Sequence, residues 1–309
     1  MNYISTHKLE SVLPYFKKIH QPEAISHKGQ NGKVLVIGGS SLFHGAVLWA
    51  AEAASHIVDM VHVASTVENN DVIKKIKVMW QTGIVISQKD IEAYAEEDDV
   101  ILIGNGMMRA GAEGEFTKEI VYSLISHFPD KQFVFDAGAL QMMDVQWIPL
   151  LHKKAIITPH QKEFQALFGI DLSSSSLEEK EKKVEEIAHT YSCIILLKTV
   201  DDIISDGNKT ICIQGGNAGL TKGGTGDILA GLVAGLAATS DPFSSAVVAS
   251  FLLKKTAEEL FGIKGYWYTA KDIINQFPSA FHLLIKDASS SLFQSNNETE
   301  GMVGRLTQR

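Results

Sequence analysis

The chain reads Asn217-Ala-Gly-Leu-Thr-Lys-Gly-Gly-Thr-Gly-Asp227, and a run of small and apolar residues at helical spacing follows over residues 228–238. Glycines permit positive φ angles and close approach of a ligand to the backbone. The first amides of a helix lack partners within it, and its dipole adds roughly half a positive charge there. The stretch therefore predicts a phosphate-binding loop in front of a helix. Asp227 would stand beside the phosphate as a general base for phosphoryl transfer, although a tight turn with an Asp helix cap explains the same residues.

Short apolar runs with a turn and a helical pattern behind them fill much of the remaining chain. They lie at residues 33–38, 60–65, 100–103, 133–135, 155–157 and 194–197. Apolar strands without alternation, each followed by a helix, are typical of a mostly parallel sheet covered on both faces. The sequence therefore predicts a three-layer α/β/α fold, in which loops at the carboxyl ends of the strands line a ligand crevice.

The two ends of the chain and its late strands have different patterns. Helical spacing over residues 7–19 predicts a leading helix, and Asp206-Gly207 predicts the turn of a hairpin over residues 203–214 that gives the sheet an antiparallel edge. Polar residues dominate residues 286–309, which we interpret as a mobile tail. We therefore expect one domain over residues 1–285.

Composition excludes several classes of protein. The net charge is −8 and no long basic cluster occurs, which argues against a nucleic-acid or membrane-surface partner. Screening over about 8 Å still lets local lysines and helix ends bind a phosphorylated ligand. The two cysteines, Cys193 and Cys212, have neither CxxC nor Cys/His spacing, so we expect no disulfide framework or zinc site. Without a secretion signal or an apolar run near 18 residues, the expected location is the cytoplasm.

Several polar residues stand at predicted strand ends. Thr158-Pro-His-Gln161 fits a helix capping box with Pro at the first helical position, yet His160 and Glu163 would also face the crevice, where they suit substrate contact and water-mediated metal binding. Lys198 follows an apolar strand, and a lysine that reaches water is its simpler interpretation. Asp136 is interpreted mainly as an Asx turn, with substrate contact as the alternative.

Other short patterns carry less information. Lys222 is equally compatible with a phosphate contact and with solvent. The small residues of the helix after Asp227 predict close packing on the sheet. Neither a dinucleotide GxGxxG fingerprint nor a Walker A motif is present, which argues against a Rossmann dehydrogenase and a P-loop enzyme.

Read in order, these motifs resemble those of the NAD(P)H-hydrate dehydratase family, whose fold is ribokinase-like. The resemblance covers roughly residues 20–280 and rests on the following motifs: Ser26-His-Lys-Gly29, Gly32-Lys-Val-Leu-Val-Ile-Gly-Gly-Ser40, Gly45-Ala46, Gly104-Asn-Gly106, Asp136-Ala-Gly-Ala-Leu140, Thr158-Pro-His-Gln-Lys-Glu163, Leu197-Lys198, Asn217 and Gly223-Gly-Thr-Gly-Asp227. It implies that ADP or ATP, with Mg²⁺, is used to restore the hydrated nicotinamide ring of NADH or NADPH. We expect ADP, as in the microbial standalone forms.

The resemblance also implies the site. Asp227 would be the catalytic base. The hydrated dinucleotide would be held by Ala46, Gly106, His160 and Asp227. The adenine nucleotide would be held by Lys198, Thr199, Val200, Asp201 and Asp202 and by Gly223, Gly224, Thr225 and Gly226. Glu163 would organise magnesium indirectly, through water.

Two positions depart from the family pattern. Thr199 stands where the family often has Gly, which would narrow the nucleotide loop, and Lys254 stands where a His-Gly pair is frequent. The family's epimerase domain has no counterpart here, so we expect action on one epimer, a separate epimerase as a partner, and a homo-tetramer. The alternatives are an ATP-dependent form, a ribokinase-like kinase for a thiazole or pyrimidine alcohol, and a nucleotide-binding regulator without turnover.

Overall fold

The structure is a computed structural model that describes residues 2–76 and 80–286, and these residues are built around one mixed sheet. The strands are β1 (Tyr3–Ser5), β2 (Lys33–Ile37), β3 (Met60–Ala64), β4 (Ile84–Val85), β5 (Val100–Ile103), β6 (Gln132–Phe135), β7 (Ile156–Ile157), β8 (Ile194–Leu197), β9 (Asp202–Ser205) and β10 (Thr210–Gln214). Their order across the sheet is β1-β10-β9-β8-β7-β6-β5-β2-β3-β4. Neighbouring strands are parallel except where β9 pairs with β8 and β10.

Helices cover both faces of this sheet. They are α1 (Leu13–Phe16), α2 (Gly45–Ser55), α3 (Val67–Ile76), α4 (Ile91–Glu97), α5 (Gly111–His127), α6 (Ala137–Met142), α7 (Gln161–Phe168), α8 (Leu177–Thr190), α9 (Thr225–Ala237), α10 (Pro242–Lys264) and α11 (270–286). Alternate side chains of each strand enter two separate apolar cores, one with α2, α9, α10 and α11 and one with α4 to α8. The predicted three-layer α/β/α fold is confirmed.

The small residues of α9 have a different partner from the predicted one. A side chain at Gly231 would begin 2.1 Å from the carbonyl oxygen of Ala50 in α2, and one at Gly235 would meet Ile57 just beyond α2. The two glycines therefore pack against α2 and the residues just beyond it, and not against the sheet. Helix α9 is consequently buried nearly throughout, which fixes the position of its N-terminus.

The predicted antiparallel edge is wrong, although the hairpin itself is present. Strand β10 lies outside β9, and β1 adds a parallel strand beyond β10, so that β1 forms the edge. Strand β1 was not predicted because Tyr3-Ile4-Ser5 is not an apolar run like those of the other strands. The predicted helix over residues 7–19 is also wrong in extent. Pro14 is tolerated only in a first helical turn, so α1 begins at Leu13 and a 3₁₀ turn, Leu9–Ser11, precedes it.

The remaining sequence expectations concern cysteines, membrane spans and the tail. Cys193 and Cys212 are buried free thiols, and burial raises the pKa of each to about 12. Across residues 2–76 and 80–286, no helix has both the length and the apolar character needed to cross a bilayer. The tail predicted over residues 286–309 lies, apart from residue 286, outside the described residues.

Candidate active site

Four polar side chains meet where the carboxyl ends of β5, β6 and β8 approach the N-terminus of α9. Asn105 Nδ2 donates to Asp136 Oδ2 at 2.9 Å and to Asp227 Oδ1 at 2.8 Å. Lys198 Nζ donates to Asp136 Oδ1 at 2.7 Å. Parallel strands bring loops that are distant in sequence to one edge of the sheet. The four residues therefore form a continuous cluster, which we call the strand-end cluster.

Asp227 lies in the first turn of α9 and turns toward this cluster. Burial, with a further contribution from the charge of Asp136, raises the pKa of Asp227 to about 7, against the lowering effect of Asn105 and Lys198. A carboxylate with a pKa near neutrality can hold a proton taken from a hydroxyl and release it afterwards. The geometry therefore permits the base role predicted for Asp227.

Lys198 does not simply reach water, as the simpler interpretation of the sequence suggested. Its side chain is only 19% exposed and contacts two carboxylates, Asp136 at 2.7 Å and Glu163 at 3.8 Å. Burial alone would lower the pKa of Lys198, but the neighbouring carboxylates raise it above its ordinary value. Lys198 is thus a fixed positive charge in the crevice.

Asp136 is not an Asx turn, which was the preferred interpretation. It is buried, and its carboxylate accepts bonds from the side chains of Asn105, Lys198 and Thr158. These contacts occupy both oxygens. Asp136 is therefore the centre of the strand-end cluster and holds Lys198 and Asn105 in place.

The predicted capping box is present but begins two residues later. His160 is the N-cap of α7, its Nδ1 accepts from the amide of Glu163 at 3.1 Å, and Glu163 Oε2 accepts from the amide of His160 at 2.9 Å. The chain stays extended through Thr158 because its amide continues the ladder to β6. Glu163 is buried, whereas the His160 side chain is half exposed at the rim of the crevice.

The glycine loop, residues 223–226, turns sharply into α9. Gly224 has φ +97°, and a side chain there would begin 2.9 Å from the Trp49 ring. The Thr225 hydroxyl donates to the carbonyls of Leu220 and Lys222, so that this side chain is used within the loop. Gly226 is open toward Lys198, whose Nζ would lie 3.7 Å from an added Cβ.

The lysine loop, residues 198–202, lies beside Gly226 and forms a cavity of about 110 Å³ with it. Thr199 donates its amide to Asp202 Oδ1 at 3.0 Å, and Val200 is almost fully exposed. Lys254 is buried beneath the loop, donates to the Val200 carbonyl at 2.7 Å, and lies 3.6 Å from Asp202 Oδ2. The departure at Lys254 thus supports this loop directly.

The remaining predicted residues, Ala46 and Gly106, are neighbours in the fold. A side chain added to Gly106 would begin 2.8 Å from the Cβ of Ala46, so the loop after β5 and the start of α2 are in close contact. This pair adjoins the strand-end cluster through Asn105. The Lys222 side chain takes no part in the strand-end cluster. Its Nζ donates to the carbonyls of Tyr266 and Tyr268. Both predicted roles of Lys222 are therefore replaced by a structural one.

Two contributors were not predicted from the sequence as functional. Asn105 was noted only as part of Gly104-Asn-Gly106, and Lys254 only as a departure. For Asn105 a signal existed, because a polar residue directly after a buried strand lies at the crevice edge of a parallel sheet. For Lys254 the sequence carried no clear signal, because Lys255 follows it directly.

A resident metal centre is not built into the described part of the chain. Residues 2–76 and 80–286 contain no group of three or more His, Cys, Asp or Glu side chains arranged to hold a metal ion. The oxygens of Glu163 already contact His160, Gln141 and Lys198. The Glu163 carboxylate is therefore already engaged by protein groups.

The mostly parallel sheet, with its glycine loop at a helix N-terminus, defines the class as a ribokinase-like α/β protein. The ADP/ATP-dependent NAD(P)H-hydrate dehydratase of Bacillus subtilis, co-crystallised with ATP/Mg²⁺, shares the fold with a TM-score of 0.75 and 23% identity, over 90% of this chain and 97% of the other. A family model described as NAD(P)H-hydrate dehydratase matches residues 34–279. The chain belongs to the NAD(P)H-hydrate dehydratase family.

Two curated relatives agree with this membership. The bifunctional NAD(P)H-hydrate repair enzyme of Methanocaldococcus jannaschii is 36% identical over 275 residues, which are 86% of this chain and 51% of that protein. The ADP-dependent (S)-NAD(P)H-hydrate dehydratase of Nitrosopumilus maritimus is 37% identical over 249 residues, 76% of this chain and 83% of the relative. The chain thus spans about half the length of the bifunctional relative and most of the monofunctional one.

Proposed function

We propose that this chain is an ADP-dependent (S)-NAD(P)H-hydrate dehydratase, a hydro-lyase that repairs hydrated NADH and NADPH. The observation that carries the proposal is the Asp227 carboxylate, which lies at the N-terminus of α9 and against Asn105, with its pKa raised to about 7. Family membership and the name of the Nitrosopumilus maritimus relative support it.

In the first step the ring hydroxyl attacks the terminal phosphorus of the nucleotide. Asp227 accepts the hydroxyl proton as the new oxygen–phosphorus bond forms and the bond to the leaving nucleotide breaks. Backbone amides of the glycine loop and the α9 dipole would stabilise charge on the transferred group. Loss of one such preorganised donor raises the activation barrier by about 3 to 4 kcal/mol, so we expect this loop to make a large contribution to the rate.

In the second step phosphate leaves from the ring. The lone pair of the ring nitrogen expels the phosphate by cleavage of the carbon–oxygen bond, and loss of the proton on the neighbouring carbon then forms the double bond. The balance is hydrated dinucleotide plus ADP giving NAD(P)H, AMP and phosphate. Phosphorylation is required because hydroxide itself is a poor leaving group.

The two ligands would occupy opposite sides of Asp227. The dinucleotide would contact Ala46, Gly106 and His160, and the adenine nucleotide would lie in the cavity between the lysine loop and the glycine loop. Magnesium carried by the nucleotide phosphates would neutralise charge during transfer. Glu163 would hold one of the water ligands of that magnesium. Lys198 would bind the phosphate chain from the side of β8.

The deciding experiment follows phosphate and absorbance together. Hydrated NADH and NADPH are incubated with the protein, Mg²⁺ and either ADP or ATP. We expect phosphate release in proportion to recovered reduced-nicotinamide absorbance, faster with ADP and limited to the S epimer unless an epimerase is added. Faster turnover with ATP would show that ATP, and not ADP, is the preferred phosphoryl donor. A stable phosphate ester on a thiazole or pyrimidine alcohol would instead indicate a kinase, and nucleotide binding without any turnover would indicate a regulator.

Self-association is proposed on separate grounds. Exposed apolar side chains cluster near the end of α10, where Phe261, Ile263, Tyr266 and Trp267 are each at least 43% exposed. Such patches often mark contact surfaces between protein chains. A homo-tetramer, as the family resemblance implies, would be detected by sedimentation velocity, and a monomer at all concentrations would contradict it.

A further inference from the structure

The Asn105 side chain is fully buried and uses its amide nitrogen for two carboxylates. One N–H is donated to Asp136 Oδ2 and the other to Asp227 Oδ1. Its Oδ1 has no hydrogen-bond partner. A buried acceptor without a partner is uncommon in native proteins and asks for an explanation.

The two carboxylates explain the orientation of this amide. If the amide were turned over, its oxygen would face the oxygens of Asp136 and Asp227, and neither ionised carboxylate could donate to it. The observed orientation satisfies both carboxylates at the expense of Oδ1. The arrangement therefore favours ionised acids at this site over complete satisfaction of the amide.

We propose that Asn105 is a positioning residue for Asp227, which it holds in one orientation beside Asp136 by donating a hydrogen bond to each carboxylate. The role rests on the proposed function only in so far as Asp227 is the base of that reaction. Asn105 itself touches no reacting atom in this scheme. It acts through the carboxylate to which it donates.

The groups around Asp227 make such a donor necessary. Asp136 after β6 and Glu163 on α7 both disfavour a further negative charge, and Lys198 after β8 favours it. Lys198 donates directly to Asp136, however, and not to Asp227. Within the described residues, Asn105 is the side chain that donates a hydrogen bond to the Asp227 carboxylate.

The experiment measures Asp227 ionisation with and without Asn105. In Asn105→Ala we expect the acid limb of kcat/KM to move to higher pH by on the order of one unit, because one hydrogen bond to the charged form is lost. Turnover should fall more than nucleotide KM rises, and raised pH should restore part of it. Carboxyl-carbon NMR titration of ¹³C-aspartate protein, with Asp227→Asn for assignment, should show the same displacement without substrate.

Asn70 provides a matched control. It is also a buried amide that donates to one partner, the Ile86 carbonyl, and has an unpartnered Oδ1, but it lies on α3. Asn70→Ala should lower the melting temperature while leaving the pH profile unchanged. If Asn105→Ala fails to fold, Asn105→Ser replaces it, with the same expected direction. Asn105→Asp places another carboxylate beside Asp136 and Asp227, so it should move the acid limb of kcat/KM to still higher pH.

The proposal is overturned if the Asp227 pKa is the same with and without the Asn105 amide, or if Asn105→Ala merely behaves like Asn70→Ala. Failure of the proposed function would look different. In that case the wild-type chain would not turn over hydrated dinucleotides, while the NMR titration would still report whether Asn105 controls the ionisation of Asp227.

Discussion

At the scale of single residues, the properties of Asp227 arise from its neighbours. An aspartate at a helix N-terminus ordinarily has a lowered pKa, because the helix dipole favours its charged form. Here burial and the charge of Asp136 outweigh that effect and raise the pKa to about 7. The Asp227 carboxylate can therefore accept a proton near neutral pH and release it again afterwards.

Asp227→Asn should abolish most turnover, because it keeps the shape of the side chain and removes the base. A loss of 10²- to 10⁴-fold is typical for a general base. Nucleotide affinity, measured by calorimetry, should be retained. Since the folded-state pKa of Asp227 is raised, its ionisation destabilises the fold as pH rises from about 4 to 7, so the variant should melt no lower than wild type at pH 8. Near-normal turnover would remove Asp227 from the mechanism.

The wild-type pH dependence tests the same residue without a substitution. The base must be ionised, so kcat/KM should rise with pH and level off above a midpoint near the Asp227 pKa of about 7. Steady-state rates in buffers of constant ionic strength measure this limb. A profile that is flat from pH 5 to 8 would contradict a base with this pKa.

At the scale of elements, the glycine loop contains two glycines with different requirements. Gly224 needs its positive φ and contacts Trp49, so Gly224→Ala should lower the free energy of unfolding by about 1 to 3 kcal/mol. Gly226→Val should leave stability nearly unchanged but raise nucleotide KM, because the new side chain enters the cavity beside Lys198. Chemical denaturation and nucleotide titration separate the two effects. Equal KM in Gly226→Val and wild type would mean that the loop is only a turn.

Lys254 joins α10 to the lysine loop. Lys254→Met should leave the Asp202 carboxylate buried without its partner, and loss of one member of such a pair costs about 3 to 5 kcal/mol. Burial already raises the pKa of Asp202, so uptake of a proton by Asp202 should absorb part of this cost. We expect a lower melting temperature and a higher nucleotide KM. Lys255→Met, at the next and less buried position, is the control and should change neither.

What could be predicted from sequence depended on the range of the interaction. Strands β2, β5 and β8 were predicted to within a residue, because each is an unbroken apolar run closed by a turn signal. Strands β1 and β4 were missed because each includes an exposed position and neither is a buried apolar run closed by a turn signal.

In the candidate site, too, local features could be predicted from the sequence and long-range contacts could not. Asp227 and the glycine loop are adjacent in sequence and were recognised together. The bonds of Asp136 to Asn105 and Lys198 join strand ends that only the folded sheet brings close. For the same reason the capping box was placed two residues early: pairing of Thr158 with β6 delays the start of α7, and this pairing has no local signal.

At the scale of the whole molecule, the core that contains α2, α9 and α10 is completed by residues of α11 as far as Leu284. We therefore predict that a chain ending at Lys286 folds and turns over like the full chain. A shorter chain ending at Ile274 would lose the buried residues Phe277, Ala280 and Leu284 and should be unstable. Circular dichroism and the hydrate assay on both truncations test this. Reduced activity of the chain that ends at Lys286 would assign a role to residues 287–309.

The position of β1 has a consequence for biosynthesis. This strand is translated before the other nine strands of the sheet, yet its partner is β10, the last of them, and Thr6 also bonds to Glu258 in α10. Nearly the entire sheet must therefore be translated before β1 can dock. Contacts so distant along the chain form late and slow folding. The edge of the sheet at β10 therefore stays unpaired until the N-terminal segment returns to it.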